Sequence, residues 1–362
     1  MKSEFKIAVF EGDGIGPEIM APAVEVIERL QTKSSDYTLS FETAPAGAKH
    51  YAETGVSLPG SSLELARQSD AVLLSAMGLP EVRYPDGTEI APQIELRKAF
   101  NLFAGVRPVT VRNDRFCPII RPNGEIIDFV LVRESTEGLF HSLGKGVVTD
   151  DQATETLLIT RDVSEKLFDF SFELAARRKA AGEGRGHVTC VDKANVFRAF
   201  AFFREIFGER AENHPEIEFD HAYVDAMALW LVQRPWSFDV LVTENMFGDI
   251  LSDLGAGLMG GLGLAPSADI GDDHAVFQPC HGSAPDIAGQ GIANPFAMIL
   301  SAGMMLDWLG HRHENNRMLQ DSVRLREAVD SVLADGEFVT RDIGGTADTR
   351  EAAEAVIREL DG

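Results

Sequence analysis

Residues 6–30, KIAVFEGDGIGPEIMAPAVEVIERL, decide the fold. KIAVF has the length and apolarity of a strand, a glycine-rich turn follows, and Ile19, Val24, Ile27 and Leu30 then recur at helical spacing. A strand, a tight turn and an amphipathic helix in that order are α/β grammar. Working outward, strands are predicted at 37–43 (YTLSFET) and 71–75 (AVLLS), with a helix between them from about Ser61 to Ser69. The segment 103–150 is strand-rich (FAGVRPVTV, FVLVRES), 140–160 reads as an exposed β-arm of the kind that serves dimers, and 319–334 and 347–360 read as scaffold helices. The chain of 362 residues carries no repeat, low-complexity tract or long linker. Two domains sharing a cleft are therefore expected, with the chain crossing between them on short connections.

Composition excludes several classes. The hydrophobic fraction is 44%, and no apolar run approaches the ~20 residues of a membrane span. The start MKSEFKIAVFEGDG has too short an apolar run for a signal-peptide core, so a cytoplasmic protein is expected. Cys117, Cys190 and Cys280 stand far apart, which supports neither a disulfide framework nor a thiolate zinc site. With 33 Lys+Arg against 57 Asp+Glu the net charge is −24, which repels nucleic acid and anionic membranes. An anionic substrate would have to be drawn in by a local cationic cluster or a bound metal.

The turn Gly12-Asp13-Gly14-Ile15-Gly16-Pro17 lies where a dinucleotide fingerprint would lie, but its third glycine comes one residue early. Glu18 also puts a carboxylate at the helix N-terminus that would otherwise receive a pyrophosphate. A tight turn using glycine dihedrals is the better reading.

Two groups of charged residues carry more chemistry. Asp249 and Asp253 are i and i+4 on a predicted helix, roughly 5–6 Å apart on one face, while Ile250, Leu251, Leu254 and Leu258 can face the core. On its own such a pair is a solvated helix face. The glycine-rich apolar loop that follows, GAGLMGGLGLAP (255–266), favours a ligand site, and a hard cation such as Mg²⁺ or Mn²⁺ would relieve the repulsion, particularly if Asp225 supplied a third oxygen. The second group is Arg97, Arg107 and Arg133, at the ends of a helix and strands and flanked by Leu96, Val106 and Val132. Guanidinium forks suit carboxylates, and three of them in so acidic a chain point to a local anion site.

GDGIGPE (12–18), LRKAFNLFAGVRP (96–108), VRESTEG (132–138), VDKANV (191–196), VDAMAL (224–229), ENMFGDILSDL (244–254), GGLGLAPSA (260–268) and HGSAPDIAGQGIANP (281–295) together resemble the isocitrate/isopropylmalate dehydrogenases. These metal-dependent β-decarboxylating enzymes act on isopropylmalate, isocitrate, homoisocitrate, D-malate or tartrate. The resemblance implies an isopropylmalate-dehydrogenase-like two-domain α/β fold with a mixed central sheet flanked by helices and a β-arm. A cofactor-binding domain would comprise 1–102 plus 260–362, and a substrate, metal and dimerisation domain 103–259.

The same resemblance implies that Arg97, Arg107 and Arg133 grip the substrate carboxylates and that Asp225, Asp249 and Asp253 hold Mg²⁺ or Mn²⁺. Lys193 would deprotonate the hydroxyl, with Asp225 beside it and Asn195 nearby, and all three would reach the site from the partner subunit of a homodimer. His281, Gly282, Ser283, Ala284, Pro285, Asp286 and Asn294 would form the adenosine loop, and a carboxylate at Asp286 favours NAD by repelling a 2′-phosphate.

The chain departs from the family pattern at two positions. Phe140 stands where relatives carry a tyrosine assigned to protonation after decarboxylation. Gln93 stands where isopropylmalate enzymes present an apolar residue. The expected function is NAD-dependent oxidation, with decarboxylation, of a malate-type 2-hydroxy dicarboxylic acid, best matched to 3-isopropylmalate. D-malate, tartrate and isocitrate remain as alternative substrates. A noncatalytic regulatory subunit and a redox-silent binding protein are the readings from other classes.

Overall fold

The computed structural model describes residues 2–34 and 36–362. The opening unit forms as read, with strand β1 (Glu4–Phe10), a turn containing Gly12 and Gly14 at φ of 79° and 57°, and a helix Gly16–Gln31. Ile19, Ile27 and Leu30 are buried, each contributing about 1.5–3 kcal/mol of apolar burial. Val24 is only half-buried, and Met20, Ala23 and Val26 take the core positions instead. The remaining strands are β2 (Thr38–Thr43), β3 (Ala71–Leu74), β4 (Ala104–Thr110), β5 (Asp128–Glu134), β6 (Val147–Val148), β7 (Ala153–Thr154), β8 (His187–Asp192), β9 (Glu218–Tyr223), β10 (Val240–Thr243), β11 (Pro266–Ile270) and β12 (Ala275–Pro279).

Among the described residues one ten-stranded sheet has the order β2-β1-β3-β12-β11-β4-β5-β10-β8-β9. The neighbours β12–β11, β11–β4 and β4–β5 are antiparallel and the other pairs are parallel, so the sheet is mixed, as expected. Every residue of β3 and β10 is buried, which requires cover on both faces, and helices such as Arg161–Ala181 and Phe296–Arg312 provide it. Within 140–160, β6 and β7 pair in a separate two-stranded ribbon with Val147 and Val148 exposed, and Gly138 bridges Leu158 in the antiparallel sense at its base.

The antiparallel centre positions the chemistry. Asp269 on β11 pairs with Gly105 on β4, and Gly105 pairs with Arg133 on β5, so three residues form one row across the sheet. Arg107 lies two residues beyond Gly105 and shares its face. Gly105 is required here, because a Cβ on it would come within 2.4 Å of Ser135 Oγ and 3.2 Å of Asp269 Oδ1.

Candidate active site

Arg97, Arg107 and Arg133 are all buried, at 7%, 5% and 5% exposure, and the structure gathers them around acceptors rather than leaving them on the surface. The helix Pro92–Ala99 delivers Arg97 two residues before its end, β4 delivers Arg107, and β5 delivers Arg133. Asp269 joins two of them. It accepts from Arg97 Nε at 2.9 Å and Arg107 Nη2 at 3.1 Å, with Gln278 Nε2 at 2.8 Å as a third donor. Burial alone would raise the Asp269 carboxyl, but Arg97 and then Arg107 outweigh it and hold it at about 2. Arg107 also donates through Nη1 to the backbone oxygens of Val106 and Ala268.

Arg133 points the other way, to Asn245 Oδ1 at 2.7 Å and 3.2 Å and to Asp249, with which it is in direct contact. Burial, and next the neighbouring Arg97, lower its pKa to about 10. The helix Asn245–Met259 carries both Asp249 and Asp253 one turn apart, as the spacing requires. Burial and the adjacent Asp249 push the Asp253 carboxyl up, against the pull of Arg133 and Arg107. The side chains toward the core are Leu251 and Leu258, with Leu254 half-buried. Ile250 is 62% exposed, so it does not face the core as its spacing suggested.

Asp225 is elsewhere. Among the described residues no group of three or more His, Cys, Asp or Glu is close enough to hold a metal ion, so a single chain does not bring Asp225 to Asp249 and Asp253. Asp225, in the first turn of the helix Val224–Gln233, accepts from Lys193 Nζ at 2.6 Å, and this bond lowers its pKa. Lys193 sits on the turn after β8, whose base is held by the buried Asp192 gripping Arg204 at 2.6 and 2.7 Å. Asn195, Val196 and Phe197 on this turn are exposed, as are Leu229, Val232, Met246 and Ile250 on the two helices that carry the aspartates.

The loop 281–294 packs against the glycine-rich turn. Ile15 N donates to Ser283 O at 2.8 Å, and Ser283 Oγ donates to Gly78 O. The turn spends its polar groups internally. Asp13 accepts the amides of Ala48, Lys49 and Gly78 at 2.7–2.8 Å, and Glu18 accepts those of Gly289 and Ala293 and the hydroxyl of Thr349. Three features set the loop apart. Ala284 adopts φ of 37°, a conformation costly for a non-glycine residue. His281 Nε2 is buried without a partner, and burial lowers its pKa. Gly282, Pro285 and Asp286 are exposed. Asn294, by contrast, is committed to the protein, donating to Asp342 and accepting from Phe296 N, each at 2.9 Å. Cys280, just before the loop, feels Arg107, Asp253 and Asp269, so the loop begins at the arginine cluster.

Gln93 lies one turn before Arg97 on the same helix, and its Oε1 is buried without a partner. The Phe140 ring lies 5.9 Å from the Arg133 guanidinium carbon. Sequence reasoning missed Asp269, Asn245 and Gln278. For Asp269 a signal existed, since an acid between Ala268 and Ile270 in a buried strand must meet a cation.

The chain matches the isocitrate/isopropylmalate dehydrogenase family over residues 6–356. It is 41% identical over 356 residues to a 3-isopropylmalate/3-methylmalate dehydrogenase of Methanocaldococcus jannaschii, spanning 98% of each chain. To a homoisocitrate dehydrogenase of the same organism it is 39% identical, spanning 98% of this chain and 97% of that one. Among solved structures, isocitrate dehydrogenase from Methylococcus capsulatus superimposes with a TM-score of 0.84 at 36% identity, covering 99% of this chain and 100% of the other.

Proposed function

Because the chain belongs to the isocitrate/isopropylmalate dehydrogenase family, and is thus an oxidoreductase of the decarboxylating hydroxy-acid kind, we propose that it oxidises a malate-type 2-hydroxy dicarboxylic acid with NAD and Mg²⁺ or Mn²⁺. The best match is a 3-isopropylmalate-like substrate. The observation that carries this reading is the convergence of Arg97, Arg107 and Arg133 beside the Asp249–Asp253 pair, an anion site next to a pair of hard oxygen donors.

The residues fit the implied groups. Two carboxylates one helical turn apart, one of them with its charged form disfavoured, suit a divalent cation. The strained loop with an exposed Asp286 suits an adenosine ribose. When bound, the cation would polarise the substrate hydroxyl and adjacent carboxylate, and the nicotinamide would accept the electron pair. The chain's own side chains do the rest. Arg97, Arg107 and Arg133 orient the carboxylates, which fixes the hydroxyl carbon without further ordering during reaction. Lys193, once its own proton has passed to Asp225 along their hydrogen bond, takes the hydroxyl proton.

In this reading Lys193, Asn195 and Asp225 serve the site of a second copy of the chain. The exposed apolar residues around them, Val196, Phe197, Leu229, Val232, Met246 and Ile250, are the surface a homodimer would bury. The proposed domains are 1–102 plus 260–362 for the cofactor and 103–259 for substrate, metal and dimerisation. Three free cysteines suit a reducing, cytoplasmic setting, and among the described residues no helix is long and apolar enough to cross a membrane.

The test is a panel of 3-isopropylmalate, isocitrate, homoisocitrate, D-malate and tartrate with NAD and Mn²⁺, read as NADH formation by the purified chain. Turnover of 3-isopropylmalate at least about tenfold more efficient than of the others is expected. No NADH from any of the five would overturn the reading and favour a regulatory subunit.

A further inference from the structure

We propose that Asp269 is a positioning and specificity residue that aligns Arg97 and Arg107 for a substrate with two carboxylates and disfavours a third. The inference rests on the reading of the arginine cluster as the substrate site.

Geometry is the first argument. Asp269 is 1% exposed and is held from four sides, by Arg97 Nε at 2.9 Å, Arg107 Nη2 at 3.1 Å, Gln278 Nε2 at 2.8 Å and Ser135 Oγ at 3.4 Å. A carboxylate so placed fixes the planes of two guanidiniums at once. It takes only Nε of Arg97, so the two terminal nitrogens of that side chain are left out of the bond to Asp269. Arg107 is anchored further by two backbone carbonyls, at 3.1 and 3.0 Å. Neither arginine has to be ordered when substrate arrives, and that saving favours the bound state.

Charge is the second. Three guanidiniums would make a strongly cationic pocket, but Asp269 offsets one charge inside the cluster and Asp249 offsets another at Arg133. One net positive charge remains among these five groups, and each further carboxylate on a ligand meets the buried Asp269 charge. At an effective permittivity of about 20 and a separation of roughly 10–12 Å, that repulsion lowers affinity on the order of tenfold per added charge. Asp269 therefore discriminates by charge number, while the buried, partnerless Gln93 Oε1, one turn from Arg97, addresses the shape and polarity of the substituent.

The full-length protein is tested in two ways, with Asp269→Asn to remove the charge and Asp269→Glu to keep it. Binding of tricarballylate, with three carboxylates, and of succinate, with two, is measured by calorimetry. Efficiency with isocitrate is compared with that for D-malate. In Asp269→Asn the preference for three carboxylates over two is expected to rise about tenfold in both assays, and in Asp269→Glu to stay within about twofold of the native ratio. Should Asp269→Asn not fold, Asp269→Ser, smaller and still an acceptor for Arg97, is read identically. A ratio unchanged in the neutral variant, or shifted equally in both variants, overturns the proposal. If the native protein oxidises no hydroxy acid, the functional reading fails, while the two binding constants still decide the role of Asp269.

Discussion

Asn245 receives Arg133 on a single oxygen, with Nη2 at 2.7 Å and Nε at 3.2 Å. Its amide nitrogen donates to Glu134 at 3.3 Å and to the backbone oxygen of Glu137 at 3.2 Å, so charge on one side and carbonyl on the other fix which way the amide faces. Asn245→Ala removes hydrogen bonds to a buried cation and is expected to cost about 1.5–3 kcal/mol in denaturant unfolding. The KM for the hydroxy acid should rise more than kcat falls, because Arg133 keeps its charge and loses its orientation. A fall in kcat with KM unchanged would speak against this role.

Asp13 satisfies three backbone donors at once, the amides of Ala48, Lys49 and Gly78, at 2% exposure. Asp13→Ala strands all three. Orphaned buried donors cost about 1–3 kcal/mol each when water cannot reach them, and partial relaxation brings the expected total to about 3 kcal/mol. Urea unfolding measures it, and a loss under about 1 kcal/mol would mean that water replaces the carboxylate.

The turn and the arginine cluster also show where sequence reading ends. The α/β class and helices such as Gly16–Gln31 and Gly60–Gln68 were legible because strand and helix periods are local properties of the chain, visible in stretches such as 6–30, whereas the mixed sheet was legible only through the family resemblance. Arg97, Arg107 and Arg133 were legible as types, being cations beside apolar neighbours. The shared partner of Arg97 and Arg107 was not, because Asp269 is brought beside β4 only through the antiparallel register of β11, and that register pairs segments more than a hundred residues apart. Ile250 fails for a related reason. Helical spacing names a face but not what covers it, and within one chain nothing covers Ile250.

Glu244 caps the helix Asn245–Met259 through Oε2, which accepts from Met246 N and Phe247 N, while Oε1 is buried without a partner. Burial raises its carboxyl above the ordinary 4.5, and the two amides offset this only in part. The folded state thus binds this proton more tightly than the unfolded chain. The resulting stabilisation is fully present below 4.5 and is lost as pH rises through the folded-state value. Glu244→Gln is neutral at every pH and keeps an acceptor for both amides. It should be more stable than the native protein at pH 7.5 and lose that advantage on acidification below about pH 4.5. Thermal unfolding of both proteins across this range is the check, and an advantage that grows with acid would sink the assignment.

Asp286 is exposed in the strained loop, with Ile287 half-buried beside it. A carboxylate there accepts ribose hydroxyls and repels a 2′-phosphate, so replacing Asp286 by Lys and Ile287 by Tyr reverses the local sign. The ratio of kcat/KM for NADP over NAD is expected to rise at least about tenfold, equivalent to about 1.4 kcal/mol. Unchanged selectivity would remove Asp286 from the cofactor site.

Phe140 lies over the Arg133 guanidinium, 5.9 Å from ring centre to carbon, and its backbone oxygen faces Lys98 Nζ at 3.5 Å. Oxidation of the hydroxyl yields a 2-keto, 3-carboxy acid, and loss of CO₂ leaves C3 in need of a proton. A phenyl ring has none to give, so His141, Ser142 or a water has to stand in for the missing hydroxyl, and well-placed general acid catalysis is ordinarily worth about 10²–10⁴ in rate. The native chain is therefore expected to release CO₂ more slowly than it forms NADH, leaving oxidised, undecarboxylated product during the first turnovers. Phe140→Tyr adds one hydroxyl at the edge of the same ring and should accelerate CO₂ release by about a hundredfold while the NADH rate changes little. Stopped-flow NADH absorbance beside trapped labelled CO₂ gives both rates. One CO₂ per NADH at an undiminished rate in the native chain would show that another group already supplies the proton.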